Sequence, residues 1–271
     1  MSNQQPTTAQ PAAMRRLGDA LHAVILGTDN EPTPLLILHG WGQDLEIMRP
    51  LGERLAWHRP VHLLDLPGFG RSPGPGQDWD TRDYAQCVLS YLEQAGLDRV
   101  DLLGHSFGGR IGLRIASEWP GRLRRLVLVD AAGLPRRRSW SQRGRLLAIR
   151  TLGRVIRSLP SFWSQSLLAW YRERYGSRDY KNAGELRGTF VKVVAEDQTA
   201  NVRLITAPTL VLWGADDRET PVEMAHRFGA LIRDSEVVVL PGDHFPFVGA
   251  GVHACAQIVD EFLSSSPELP V

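Results

Sequence analysis

Val100-Asp-Leu-Leu-Gly-His-Ser-Phe-Gly-Gly109 carries an apolar run directly into a glycine-flanked serine. A short run of this kind, closed by a glycine, reads as a buried strand. Residues 107–118 follow with a helical pattern. Between the two, Gly104-His105-Ser106-Phe107-Gly108 matches G-x-S-x-G, a motif that needs a strand before it and a helix after it. The glycines suit a strained turn, where a side chain on either flank would strike neighbouring backbone. Such a turn lifts the serine oxygen clear of the strand end. The amino end of the helix favours negative charge developing there. Ser106 is the candidate nucleophile.

Outward from this stretch the same alternation repeats. Apolar runs occur at 35–38, 61–64, 126–129, 209–213 and 236–240, each followed within a few residues by Gly, Asp or Pro. Continuous runs of that length predict strands buried on both faces. Helix-length segments at 82–95, 221–232 and 252–263 lie between or after them. The expected fold class is α/β: a mostly parallel sheet with helices on both faces. Residues 14–30 should add an antiparallel edge. The alternation breaks between about 134 and 205, where helical patterns replace strands. The expected organisation is a mobile tail (1–13), a core (14–134 and 206–271) and a helical cap inserted at 135–205 over the sheet's carboxyl edge.

A serine hydroxyl is a weak nucleophile without a base. His244 lies on a turn after the last strand, in Pro241-Gly-Asp-His-Phe-Pro246, with no apolar face to fill. It is the candidate base. Asp217, in Trp213-Gly-Ala-Asp-Asp217, is the candidate acid. Asp130, after an earlier strand, is the rival, since an acid there could also reach the histidine. Asp216 would point elsewhere. His39-Gly40-Trp41-Gly42 follows the first strong strand. Acyl transfer needs two backbone N–H groups at the oxyanion, and Trp41 and Phe107 are the candidate donors. The order Ser, Asp, His suits this scaffold. No metal-ligand spacing or phosphate loop is visible, so no metal and no cofactor is implied.

The whole chain sets bounds on these readings. It has 271 residues, 43% of them apolar, and a net charge of +1, which gives no global pull toward nucleic acid. No segment reaches the roughly 20 apolar residues of a membrane span. The start lacks the basic-then-apolar pattern of a leader, so a cytoplasmic location is expected. Cys87 and Cys255 should be buried free thiols.

Together these stretches resemble the α/β-hydrolase superfamily. His39 to Gly42, Asp65-Leu-Pro-Gly-Phe-Gly-Arg-Ser72, Gly104 to Gly109, Gly214 to Pro221 and Gly242 to Pro246 appear in that family's order. The resemblance implies a serine-nucleophile, esterase-like member whose insertion is a lid. Haloalkane dehalogenases and epoxide hydrolases of this fold carry Asp where this chain has Ser106, which disfavours both. Asp243 is a departure, since Gly is common before the histidine. The expected activity is hydrolysis of a small hydrophobic or aromatic carboxylic ester. Carbon–carbon hydrolysis, lyase chemistry or acyl transfer on the same triad is the alternative. A non-catalytic ligand-binding protein is the alternative of another class.

The insertion is basic and aromatic. Residues 135–172 hold nine arginines and no acid. Arginines interleave with Leu146, Ile149, Leu152, Val155, Ile156 and Leu159, which predicts a basic amphipathic helix. The preferred reading is a solvated basic face whose apolar stripe closes a pocket. Contact with an anionic membrane and counter-charge for an anionic substrate are the others. Phe162, Trp163 and Trp170, with His39 and Phe245, are the candidate substrate-pocket residues.

Overall fold

A computed structural model describes residues 20–27, 33–137, 140–158, 167, 174 and 177–265. Its seven strands are β1 (Ala23–Leu26), β2 (Leu35–Leu38), β3 (Val61–Leu64), β4 (Val100–His105), β5 (Leu123–Val129), β6 (Thr209–Gly214) and β7 (Ser235–Leu240). They form one sheet in the order β1-β3-β2-β4-β5-β6-β7. β1 pairs antiparallel with β3, and the other neighbours are parallel. Every residue of β2, β3, β4 and β6 is buried, as continuous apolar runs between two helical layers should be. β7 departs from that expectation. It is the sheet's far edge and is only partly covered, with Val239 exposed.

The core helices are α1 (Leu45–Leu55), α2 (Thr81–Gln94), α3 (Phe107–Glu118), α8 (Glu223–Leu231) and α9 (Gly251–Ser264). α1 was not read from the sequence, because Pro50 sits inside it. Asp44 caps it by accepting from the Glu46 amide, and Leu45, Met48, Leu51 and Leu55 form its buried stripe. α8 begins at Glu223 rather than at Pro221. α2 opens on a reciprocal capping box between Asp80 and Asp83. α9 has no basic residue in its last turn. Arg124 and Arg125 of β5 supply the missing donors, to the carbonyls of Leu263 (2.7 Å) and Phe262 (2.5 Å). Both cysteines are buried, and neither is in a disulfide.

Between β5 and β6 lie the helices of the insertion: α4 (Trp140–Ser158), α5 (Arg178–Asn182), α6 (Arg187–Ala195) and α7 (Thr199–Val202). α6 packs at the carboxyl end of β2, where the Phe190 ring lies 5.0 Å from that of Trp41. Thr189 accepts from the Trp79 amide at 3.0 Å. Glu196 accepts from Thr81 and from Arg114, tying the segment after α6 to α2 and α3. The Gln198 amide donates to the Gly133 carbonyl at 3.0 Å, so the chain leaves and rejoins the core at one point, with α7 following. Among the described residues no helix is long and apolar enough to cross a membrane.

Candidate active site

Ser106 sits between β4 and α3 with φ 49° and ψ −104°, in a region that non-glycine residues rarely adopt. The surrounding backbone enforces this turn. The Ser106 amide donates to Val129 (3.0 Å), and its carbonyl accepts from Ala132 (3.1 Å). The flanking glycines leave no room for a side chain. A Cβ on Gly104 would lie 2.5 Å from the Gly108 carbonyl oxygen, and one on Gly108 would lie 2.3 Å from that of Leu38. Strain at one residue is thus maintained by close backbone packing on both sides.

His244 Nε2 lies 3.0 Å from Ser106 Oγ, and His244 Nδ1 lies 2.7 Å from Asp217 Oδ2. A carboxylate only accepts, so Nδ1 carries the proton and Nε2 is the acceptor for the serine hydroxyl. The Asp217 carboxylate is saturated. Oδ1 accepts from the amides of Glu219 (2.7 Å) and Thr220 (3.0 Å), and Oδ2 also accepts from the Thr220 hydroxyl (2.6 Å). Burial pushes this carboxyl up, but the hydrogen bonds from His244 and Thr220 outweigh it and keep it below the usual carboxylate range. Gly214 lets the two loops meet, since a Cβ there would lie 2.0 Å from the Asp243 carbonyl.

Asp130 is the acid that does not reach the base. It is fully buried at φ 43°, and its Oδ1 accepts from the Gly214 amide at 2.9 Å. Its Oδ2 has no partner among the described residues. Burial pushes its carboxyl up to about 9; the Gly214 amide opposes this and the Asp217 charge adds to it. Asp130, Asp217 and His244 bring ligand atoms within 4.8 Å of one another. The Asp217–His244 bond already occupies two of the atoms a metal ion would use. Asp216 is exposed, as expected. Asp243 is exposed too, and its side chain accepts from the Phe245 amide at 3.0 Å.

Trp41, in the turn after β2, and Phe107, the first residue of α3, stand on either side of the serine. Among the described residues neither amide N–H donates to a backbone acceptor. Gly40 lets this turn come close to the serine strand, since a Cβ there would lie 2.8 Å from His105 Nδ1. The Trp41 ring contacts those of Phe69 (5.0 Å) and Phe107 (5.2 Å), and with Phe190 these form an aromatic group beside the serine. Of the candidate pocket residues, Phe162, Trp163 and Trp170 lie outside the described residues. Phe245 is half-buried, its ring 5.3 Å from that of His244. His39 corrects the expectation. It is fully buried, its Nε2 accepts from Leu66 (2.9 Å) and its Nδ1 donates to Gly40 (2.8 Å), so it braces the loop and leaves neither ring nitrogen facing open space.

Sequence reasoning missed Thr220 and the part played by His105. Thr220, three residues after Asp217, carries the signal of a side-chain turn. His105 Nε2 donates to the His244 carbonyl at 2.9 Å and so links the serine turn to the base loop. Burial drives its imidazole down to about 3, and the nearby His244 adds to this, so it stays neutral.

The sequence matches the alpha/beta hydrolase fold family over residues 33–250. The chain belongs to that family. A curated relative, the 1-acylglycerol-3-phosphate O-acyltransferase of Homo sapiens, is 35% identical over 130 residues, 46% of this chain and 37% of that protein. The match thus spans little more than a third of the relative's length. Among solved structures, a membrane phospholipase A described as a bacterial virulence factor is 26% identical with a TM-score of 0.69, covering 92% of this chain and 87% of that one. The enol-lactonase of Burkholderia xenovorans is 21% identical with the same score, covering 90% and 96%, and bears on the fold alone.

Proposed function

We propose that this α/β-hydrolase family member is a serine hydrolase that cleaves a hydrophobic carboxylic ester through an acyl-enzyme on Ser106. The observation that carries the reading is the unbroken hydrogen-bonded series from Ser106 Oγ through His244 to Asp217, at 3.0 and 2.7 Å. His244 Nε2 takes the hydroxyl proton as Ser106 Oγ attacks the ester carbonyl. The Trp41 and Phe107 amides receive the oxyanion. His244 then gives its proton to the leaving alcohol, and water repeats the sequence on the acyl-enzyme. Asp217 keeps Nδ1 protonated and stabilises the imidazolium. The aromatic group of Trp41, Phe69, Phe107 and Phe190 supports an apolar acyl part. The partial relative that is an O-acyltransferase by name favours, as second reading, transfer of the acyl group to an alcohol in place of water.

The test is hydrolysis of p-nitrophenyl esters of increasing acyl length by the wild type and by Ser106→Ala. The expected result is turnover that falls by about 10⁴ or more in the variant. An unchanged rate in Ser106→Ala would remove the assignment. Added alcohols that divert the acyl group from acid to ester would select the second reading.

A further inference from the structure

The insertion concentrates two surface properties. Residues 135–172 carry +9 while the whole chain carries +1, so the remainder carries −8. Among the described residues, eight of the twelve exposed large apolar side chains lie between Trp140 and Leu204. Two thirds of the exposed large apolar side chains among the described residues thus lie in a stretch that overlaps a segment charged oppositely to the rest of the chain.

Helix α4 combines the two. Most of its described apolar residues sort onto opposite sides at 100° per residue, with Leu152 on a flank. Ile149 and Ile156, seven apart, form the inner side; Ile156 is buried and Ile149 half-buried. Trp140, Leu147 and Val155 lie on the outer side, exposed by 86%, 62% and 52%. Arg154 is exposed on that outer side; Arg145, four residues before Ile149, is exposed on the inner side. A stripe that merely closed a pocket would be used up on the inner side. The outer side instead has the make-up of a helix lying in a membrane interface: aromatic and aliphatic residues flanked by arginine, with no acid. Over 19 residues the helix is about 28 Å long.

We propose that the outer face of α4 docks the protein on an anionic lipid surface. Trp140, Leu147 and Val155 enter the boundary of headgroup and acyl chain, and Arg154 meets lipid phosphate. This is a peripheral contact and does not depend on the chemistry at Ser106.

The experiment is co-sedimentation of the full chain with phosphatidylcholine vesicles and with vesicles that also contain phosphatidylglycerol. Binding should require the anionic lipid and weaken with salt. Arg154→Glu should weaken it about tenfold. The pair Leu147→Ser/Val155→Ser should weaken binding to the same vesicles. All three substitutions sit on exposed positions and should keep the wild-type melting temperature and the wild-type rate on a soluble ester. No pelleting at low salt would overturn the proposal. So would equal binding to both vesicle types, or indifference to Arg154→Glu and to the Leu147/Val155 pair. Inorganic phosphate displacing the protein at concentrations too low to screen charge would also overturn it, by assigning the arginine to a free anion.

Discussion

Asp130 and Asp217 bring carboxylate oxygens within 4.8 Å of each other, yet their environments push them apart. Asp217 collects hydrogen bonds from His244, Thr220 and Glu219 and stays ionised. Asp130 has one backbone donor and an unpartnered oxygen, and stays protonated at neutral pH. The two have opposite effects on stability. Asp217 is depressed, so its contribution is present above the ordinary carboxylate pKa and is lost as pH falls. Asp130 is raised from 3.8 to about 9, so its contribution is fully present below 3.8 and is lost as pH rises through that window. Asp130→Asn keeps the neutral shape and tolerates positive φ. It should raise the melting temperature at pH 8 by more than at pH 5. A variant whose gain is equal at both pH values would show that Asp130 is ionised in the folded protein. The sequence favours Asp217 but leaves Asp130 as a rival, since both follow strands. The choice depends on which loop reaches Nδ1 of His244, a property of three-dimensional spacing.

Among the elements, the β4–α3 unit was the most legible. Its glycines are there because a methyl group would strike backbone, so motif and geometry carry the same information. Gly108→Ala should cost about 1–3 kcal/mol or more by forcing Leu38 to move. Gly144 lies inside α4 with open space where its Cβ would be, so Gly144→Ala should gain about 0.5–1 kcal/mol. Chemical denaturation of the two variants checks both signs. α1 was illegible because an internal proline normally argues against a helix, and its buried stripe against β3 overrides that penalty. His39 was misread for a related reason. A histidine next to a candidate oxyanion loop looks like a site residue, and only its two buried hydrogen bonds reveal a brace.

Across the whole molecule, strand β4 joins two unlike ends. Ser106 follows one end, while Asp101 near the other is fully buried between Arg124 (2.9 Å) and Arg59 (3.7 Å). Arg59 is itself buried and also reaches Asp260 at 2.8 Å. Removing one partner of such a group leaves uncompensated buried charge. Asp101→Ala should therefore cost about 3–5 kcal/mol. Its turnover per folded molecule should match the wild type, because the cluster lies about 16 Å of strand from the serine. A proportional loss of turnover in the folded fraction would show that the two ends are coupled.

The bond from the Gln198 amide to the Gly133 carbonyl has a consequence for how the chain can be rebuilt. An inserted segment whose entry and exit are pinned together is a closed excursion: the scaffold feels one short gap, whatever lies beyond it. Ser106, Asp217 and His244 all stand outside that excursion. The segment between can therefore differ in length and composition without stretching the sheet, and Ser106, Asp217 and His244 need not move with it.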